Sequence, residues 1–477
     1  MKFKQLLLIN LSLIVFGLNA QNLRKDSAYA VQGYEMVEQQ MGFYHDSELE
    51  SYVNKLGQRL VSQLDPALFE YEFYLVDSPE PNAFAIPGGK VFITRGLLAL
   101  PKTEDELAGV IGHEIIHSNN RHGVKAQTGN VFGKIIAIPG VIIGGIFRGP
   151  IGSAIASPFL IGNELLQADY SRGNEKEADK LGTEIAAKAG YDPMELAYIL
   201  KRLSLESQIL TGEAEQKSYF ASHPYTPKRV EAITKHSQTY KQADTPPIAD
   251  KNEFLKPFDD LMIGFNPKYG YIEKGKLYNP EYKYSFKLGE EWQGMGSPAG
   301  YGIVHSKQEA MITLMVEKDS LSYSDYSSEF EQLMLEQTKM RPSDKSSVDW
   351  DGKKGKMLEY TAEQNGTKLH FQLYTIQYDS EHLFKVATLC STPYVEDIEG
   401  VIKSAKWVKK GQFPSTKVPT LKIVEANKGV TLQELIDAKG DEEFVKFVLM
   451  LNENSLSHQY KGGELVKLVV NKSYNQN

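Results

Sequence analysis

Residues 103–123 read TEDELAGVIGHEIIHSNNRHG. Thr103 with Glu106 three residues on marks a helix start with a capping-box partner. The run that follows carries apolar side chains at helical spacing. On such a helix His113 and His117 lie four apart and project from one face. Two imidazoles so placed can grip one divalent ion, with Glu114 beside the open coordination position. The motif is short enough to recur by chance, so its weight depends on a further ligand elsewhere in the chain.

That ligand is offered by YSRGNEKEADKLG, residues 170–182, where Glu175 and Asp179 are again four apart on a predicted helix. A catalytic zinc takes three protein ligands and leaves its fourth place to water. Glu175 is the candidate third ligand. Asp179 can accept the N–H of a ligand imidazole and fix its tautomer. A solvated helix face is the plain alternative for any Glu-x-x-x-Asp, and the HExxH upstream argues against it. Glu177 competes for the ligand role, but a residue at i+2 points away from the face that Asp179 shares. His122, five residues after His117, is turned from the ligand face and is read as structural.

HExxH followed by S-R-x-x-E-x-E-A-D resembles the M48 family of metallopeptidases. PNAFAIPGGKVFITRGLL (81–98) is similar to that family's strand region before the metal helix. SHPYTPKRVEAI (222–233) resembles its late H-P-x-x-x-x-R motif and supplies His223 and Arg229. The resemblance covers about residues 25–240. It implies an α+β protein whose mainly helical, zincin-like peptidase domain contains a small β-sheet. It also implies one zinc per chain on His113, His117 and Glu175, with Asp179 supporting a histidine.

The chemistry then expected is endopeptidase hydrolysis of polypeptides by metal-activated water, with Glu114 as general base. His223 and Arg229 are candidates for stabilising the charge that develops on the carbonyl oxygen. His223 has two other readings: a fourth zinc ligand that holds the enzyme latent, or, with Pro224, a residue that merely shapes a loop. Substrate is expected to pair as an extended strand with an exposed edge at Lys90–Thr94, or that strand is interior and packs the metal helix. Two rival functions stand beside the hydrolase. A non-proteolytic assembly or envelope-binding protein on a peptidase scaffold would tolerate loss of Glu114, and a metal-free structural domain would hold no zinc.

The amino terminus bears on where such a protein works. Lys2 and Lys4 precede an apolar run from Leu6 to Leu18, then Asn19 and Ala20. That is the pattern of a signal peptide over residues 1–20 with a cut at Ala20–Gln21, an uncleaved anchor being the alternative. Export, to the periplasm or another extracytoplasmic space, is therefore expected. Removing residues 1–20 takes away two lysines and no acids, so the net charge falls from −8 to −10. An acidic chain has no electrostatic footprint for nucleic acid. The single cysteine, Cys390, excludes an intramolecular disulfide and sits in a strand-like run, FKVATLC, as a small buried hydrophobe.

Pattern changes divide the rest. Residues 21–245 form the peptidase-like block and 246–264 a linker. Residues 265–410 switch to period-2 runs, with an Asn365-Gly366 hairpin signal, and read as a smaller α+β domain. Residues 418–470 read as strand, helix, helix, strand, similar to a LysM module, which would give glycan contact. Between the metal-ligand candidates, residues 131–162 are apolar and Gly-broken, too short for a comfortable span, and read as a lid or a surface touching lipid. The expected partners are unfolded or misassembled envelope polypeptides.

Overall fold

The protein is described by a computed structural model over residues 26–123, 170–211, 219–224, 227–240, 246, 250–307, 309–364 and 366–474. The expected signal segment, the stretch 131–162, part of the linker and Asn365 of the hairpin lie outside the described residues. The chain divides into two units. Among the described residues the first comprises 26–123, those from 170 to 263, and 419–470.

The first unit opens with helix α1 (26–40) and α2 (Ser47–Val61), the latter capped by Asp46, whose carboxylate accepts from the Glu48 and Leu49 amides. Strands β1 (Glu72–Val76), β2 (Ala83–Ile86) and β3 (Lys90–Thr94) follow, in the order β1-β3-β2. The turn at Gly88 and Gly89, with φ of 94° and 89°, folds β3 back antiparallel onto β2, while β1 takes its other side in parallel. Lys90–Thr94 is thus the central strand. The expected substrate edge there is wrong, because both of its hydrogen-bonding sides are already paired; the interior reading holds.

Short α3 (Arg95–Leu98) leads into α4 (Glu104–Asn119), which is buried along almost its whole length. A helix buried on all sides is a core element rather than a surface one. Against it pack α2, α5 (Arg172–Lys188) and α6 (Glu195–Thr211); α7 (Tyr219–Ser222), α8 (Pro227–Ser237), which lies against α5 and α6, and α9 (Lys251–Leu255) follow.

The second unit, residues 264–418 with the last residues of the chain, begins with β4 (Tyr271–Glu273), β5 (Lys276–Asn279), β6 (Tyr284–Lys287), β7 (Trp292–Ser297), β8 (Gly300–His305) and β9 (Ala310–Lys318). Then come α10 (Tyr323–Thr338), β10 (Asp344–Trp350), β11 (Lys353–Gln364), β12 (Thr367–Gln377), β13 (His382–Ser391), α11 (Val395–Lys403) and β14 (Lys406–Trp407). A seven-stranded antiparallel sheet, β10-β11-β12-β13-β9-β8-β7, faces a four-stranded one, β14-β6-β5-β4, over an aromatic core of Tyr284, Phe286, Trp350 and Phe384. Helix α10 covers a second apolar layer around Phe330, Tyr360 and Phe371. Cys390 is buried in the core between the two sheets, and burial pushes its thiol up to about 12.

The last block is strand, helix, helix, strand: β15 (Thr416–Ala426), α12 (Leu432–Lys439), α13 (Val445–Asn452) and β16 (Glu464–Tyr474). A capping box between Thr431 and Glu434 starts α12. It is not a detached module. Leu421, Leu432, Leu451 and Leu468 belong to one continuous apolar core with Val110, Ile111 and Leu200 of the first unit. Lys467 reaches into that core, donating to the carbonyls of Ala99 at 2.6 Å and Pro101 at 2.5 Å.

Candidate metal centre

Two glycines decide how closely the two ligand-bearing helices meet. A Cβ on Gly182 of α5 would lie 2.8 Å from the His113 amide nitrogen, and one on Gly112 of α4 would lie 3.1 Å from the Gly182 carbonyl oxygen. The helices therefore touch backbone to backbone at the first histidine. Neither glycine was singled out in the sequence, though each lies beside a ligand motif. Their close approach places Glu175 and Asp179, one turn apart, against His113 and His117. Ser171 starts α5 by accepting from the Asn174 amide, which orients Glu175 in the first turn.

His113, His117 and Glu175 are brought together, and His223 joins them from the turn after α7. The Nε2 atoms of His113 and His117 are 2.9 Å apart, and His113 Nε2 is 3.3 Å from His223 Nδ1. Glu175 Oε1 lies 3.1 Å from His117 Nε2 and 2.9 Å from His223 Nδ1, and its Oε2 lies 3.6 Å from His113 Nε2. All four donor atoms fall within 4.8 Å of one another. A tetrahedral zinc with bonds of about 2.0–2.1 Å sets its donors about 3.3 Å apart. The separations bracket that value, and imidazole with carboxylate is a donor set zinc accepts, so the residues present fit the ion.

The surrounding groups fix the candidate ligands. His113 Nδ1 is 3.0 Å from Asp179 Oδ1. Asp179 is gripped in turn by Arg229, whose Nε and Nη2 donate to its two oxygens, each at 2.8 Å. Arg229 also lies 2.8 Å from Glu175 Oε2 and donates to the His223 carbonyl at 3.2 Å. Its guanidinium is thus spread over ligand supports. Tyr219 stacks on His223 with centroids 4.5 Å apart, and the Tyr170 ring lies 3.8 Å from that of His117. Nothing in the sequence pattern flagged either tyrosine.

Glu114 is fully buried, and among the described residues neither of its oxygens has a hydrogen-bond partner; His223 Nε2 lies 3.4 Å from its Oε1. Burial pushes its carboxyl up, against the pull of His223 and His113. Burial works the same way on Glu175, but the facing charges of His223, Arg229 and His113 outweigh it and hold that carboxyl well below the usual range. Burial also holds the His117 imidazole well below its ordinary value, which keeps its lone pair available for a cation.

One residue departs from the reading of the sequence and a second bears it out. His122 is not merely structural packing turned from the site: its Nδ1 lies 3.1 Å from His117 Nδ1. Glu177 is no ligand competitor, since it reaches His122 Nε2 at 3.3 Å and accepts from Asn120 at 3.0 Å. The i+2 geometry did turn it from Asp179, as expected, and onto the end of α4.

Known proteins share this region. The chain is 29% identical over 214 residues to a Yersinia pestis protein named beta-barrel assembly-enhancing protease, covering 44% of this chain and 43% of that one. It is 31% identical over 181 residues to the protein of that name from Escherichia coli O157:H7, covering 35% and 37%. The mitochondrial metalloendopeptidase OMA1 of Schizosaccharomyces pombe is 29% identical over 221 residues, covering 46% and 61%. The chain spans less than half the length of the bacterial relatives it matches. The part that holds the centre, residues 47–237, matches Peptidase family M48.

Proposed function

We propose that the first unit is a zinc-dependent endopeptidase acting on polypeptides, with His113, His117 and Glu175 as metal ligands and Glu114 as the proton-transfer group. The observation that carries it is the convergence of those three donors beside a buried carboxylate with no partner of its own. A bound zinc would lower the pKa of a water toward about 7 and polarise the scissile carbonyl. Glu114 takes the proton of the attacking water and returns it to the leaving amine. Its lack of hydrogen bonds suits both acts, because no existing contact has to break. Asp179 and Arg229 hold His113 and Glu175 in place.

His223 stands as the fourth donor. With it on the metal the site has four protein ligands and no place for water, which is the closed geometry of structural zinc. Activity then requires His223 to leave, and the resting enzyme is latent. The signal-like amino terminus and the bacterial relatives' name favour an exported protein that clears misassembled envelope polypeptides. Among the described residues no helix is long and apolar enough to cross a membrane.

The test compares the wild type with Glu114→Gln on an unfolded model substrate, measuring zinc in both. Equal zinc with cleavage only in the wild type, or only after His223→Ala opens the site, supports the reading. Cleavage that survives Glu114→Gln in the open form sinks the role of Glu114, and zinc in every variant with cleavage in none, the open form included, leaves the assembly role.

A further inference from the structure

Resting on that zinc reading, we infer that His122 is the positioning residue for His117, and that it hands the ligand's support to Glu177 at the protein surface. The argument runs through the direction of the hydrogen bonds. A neutral imidazole that presents its Nε2 lone pair to a cation carries its proton on Nδ1. His117 Nε2 faces Glu175 and His113, so its Nδ1–H points at His122 Nδ1, 3.1 Å away. His122 must then accept on Nδ1 and carry its own proton on Nε2. That nitrogen faces Glu177 Oε2 at 3.3 Å, a carboxylate able to take it. Each hydrogen bond dictates the next, and one tautomer is consistent along the line.

The two histidine ligands are therefore supported differently. His113 leans on a buried carboxylate, Asp179, that Arg229 neutralises. His117 leans on a neutral ring whose far side meets Glu177, a carboxylate with 49% of its side chain exposed. A carboxylate set directly behind His117 would be another buried charge beside Glu114 and Glu175, at an effective penalty of several kcal/mol unless paired. The interposed imidazole delivers the same acceptor while leaving the charge in water. Glu177 also accepts from Asn120 Nδ2 at 3.0 Å, and Arg121 grips Asp26 through Nε at 2.6 Å and Nη2 at 3.0 Å. The backbone that carries His122 is thus held on both sides.

The experiment uses the full chain and measures zinc affinity by competition with a chelator, alongside the cobalt(II) absorption spectrum. His122→Leu fills the space but cannot accept a hydrogen bond. It is expected to weaken zinc binding about 10–100-fold, the usual cost of losing such a partner, and to shift the cobalt bands. His122→Asn keeps an acceptor oxygen near the Nδ1 position and is expected to recover most of the affinity. If circular dichroism shows the Leu variant unfolded, the surface change Glu177→Ala carries the test, with a smaller loss in the same direction. Wild-type affinity in His122→Leu, or equal losses in the Leu and Asn variants, overturns the inference while the zinc reading stands. A wild type that takes up no zinc sinks both.

Discussion

Helix α4 carries a buried polar cluster at each end, and the two are built on opposite terms. At its start Arg202 clasps Glu106 with two bonds of 2.5 and 2.8 Å and reaches Glu453 at 2.8 Å. Glu106 also accepts from the Lys102 amide at 2.6 Å, and Lys467 satisfies two carbonyls. Every charge there has an answer within the chain. Toward its other end three imidazoles and Glu175 turn donor atoms toward one another, and among the described residues Glu114 accepts no hydrogen bond. A cluster that is complete in itself serves stability; one crowded with lone pairs needs a cation from outside. The distinction is legible in the contacts alone, since the two clusters share a helix and a core.

Four changes would break or sharpen that contrast. The largest effect belongs to Glu175→Ala, which should drop zinc from one per chain to background after dialysis, read by metal analysis. Full retention of zinc would mean that the donor cluster is not the binding site. Next, Arg202→Ala should lower the unfolding free energy by about 3–5 kcal/mol in denaturant titration, because Glu106 stays buried without its partner. Zinc affinity of the folded variant should not move; if it does, the two ends are coupled.

Glu206 tests what burying a carboxyl costs in the same unit. Burial, with the Glu80 charge added, raises it to about 7. The folded state keeps that proton up to about pH 7, whereas the unfolded chain releases it near pH 4.5. Stability from this group is therefore full below the unfolded value and declines as pH rises to about 7. Glu206→Gln should gain about 1–3 kcal/mol at pH 8 and almost nothing at pH 4. Equal melting curves at both pH values would show that the group stays ionised without cost. The smallest effect is at the rim: Lys102 pairs with half-exposed Glu453 at 2.7 Å, and Lys102→Ala should change stability by at most about 1 kcal/mol.

Much of the centre was legible because its ligands lie on helices, where a spacing of four means a shared face. Glu175 and Asp179 meet the histidines as that spacing implied, and Thr103 starts α4 with its hydroxyl accepting from the Glu106 amide. The carboxylate of Glu106, expected back at the cap, is instead taken by the Lys102 amide, one residue before the cap, and by Arg202, a partner that only tertiary packing supplies. His122 was misjudged for a related reason. Its offset of five is wrong for the ligand face, but Arg121 at φ 55° ends the helix and swings the next residue round behind His117. Strand Lys90–Thr94 was placed at an edge because pairing partners cannot be read from alternation. The strands β4, β5, β7, β8 and β10 escaped notice, their Gly-, Lys- or Ser-rich runs hiding the period.

The completed end of α4 has a consequence for synthesis. Lys467 and its carbonyl acceptor on Ala99 are separated by 368 positions, and Glu453 lies 251 positions from Arg202. Closing loops of that length delays the contacts that depend on them. A chain synthesised only through residue 400 carries every residue of the candidate metal centre but lacks β15 and β16, which close the core behind it. Contacts of that span are thus the last in this unit to close.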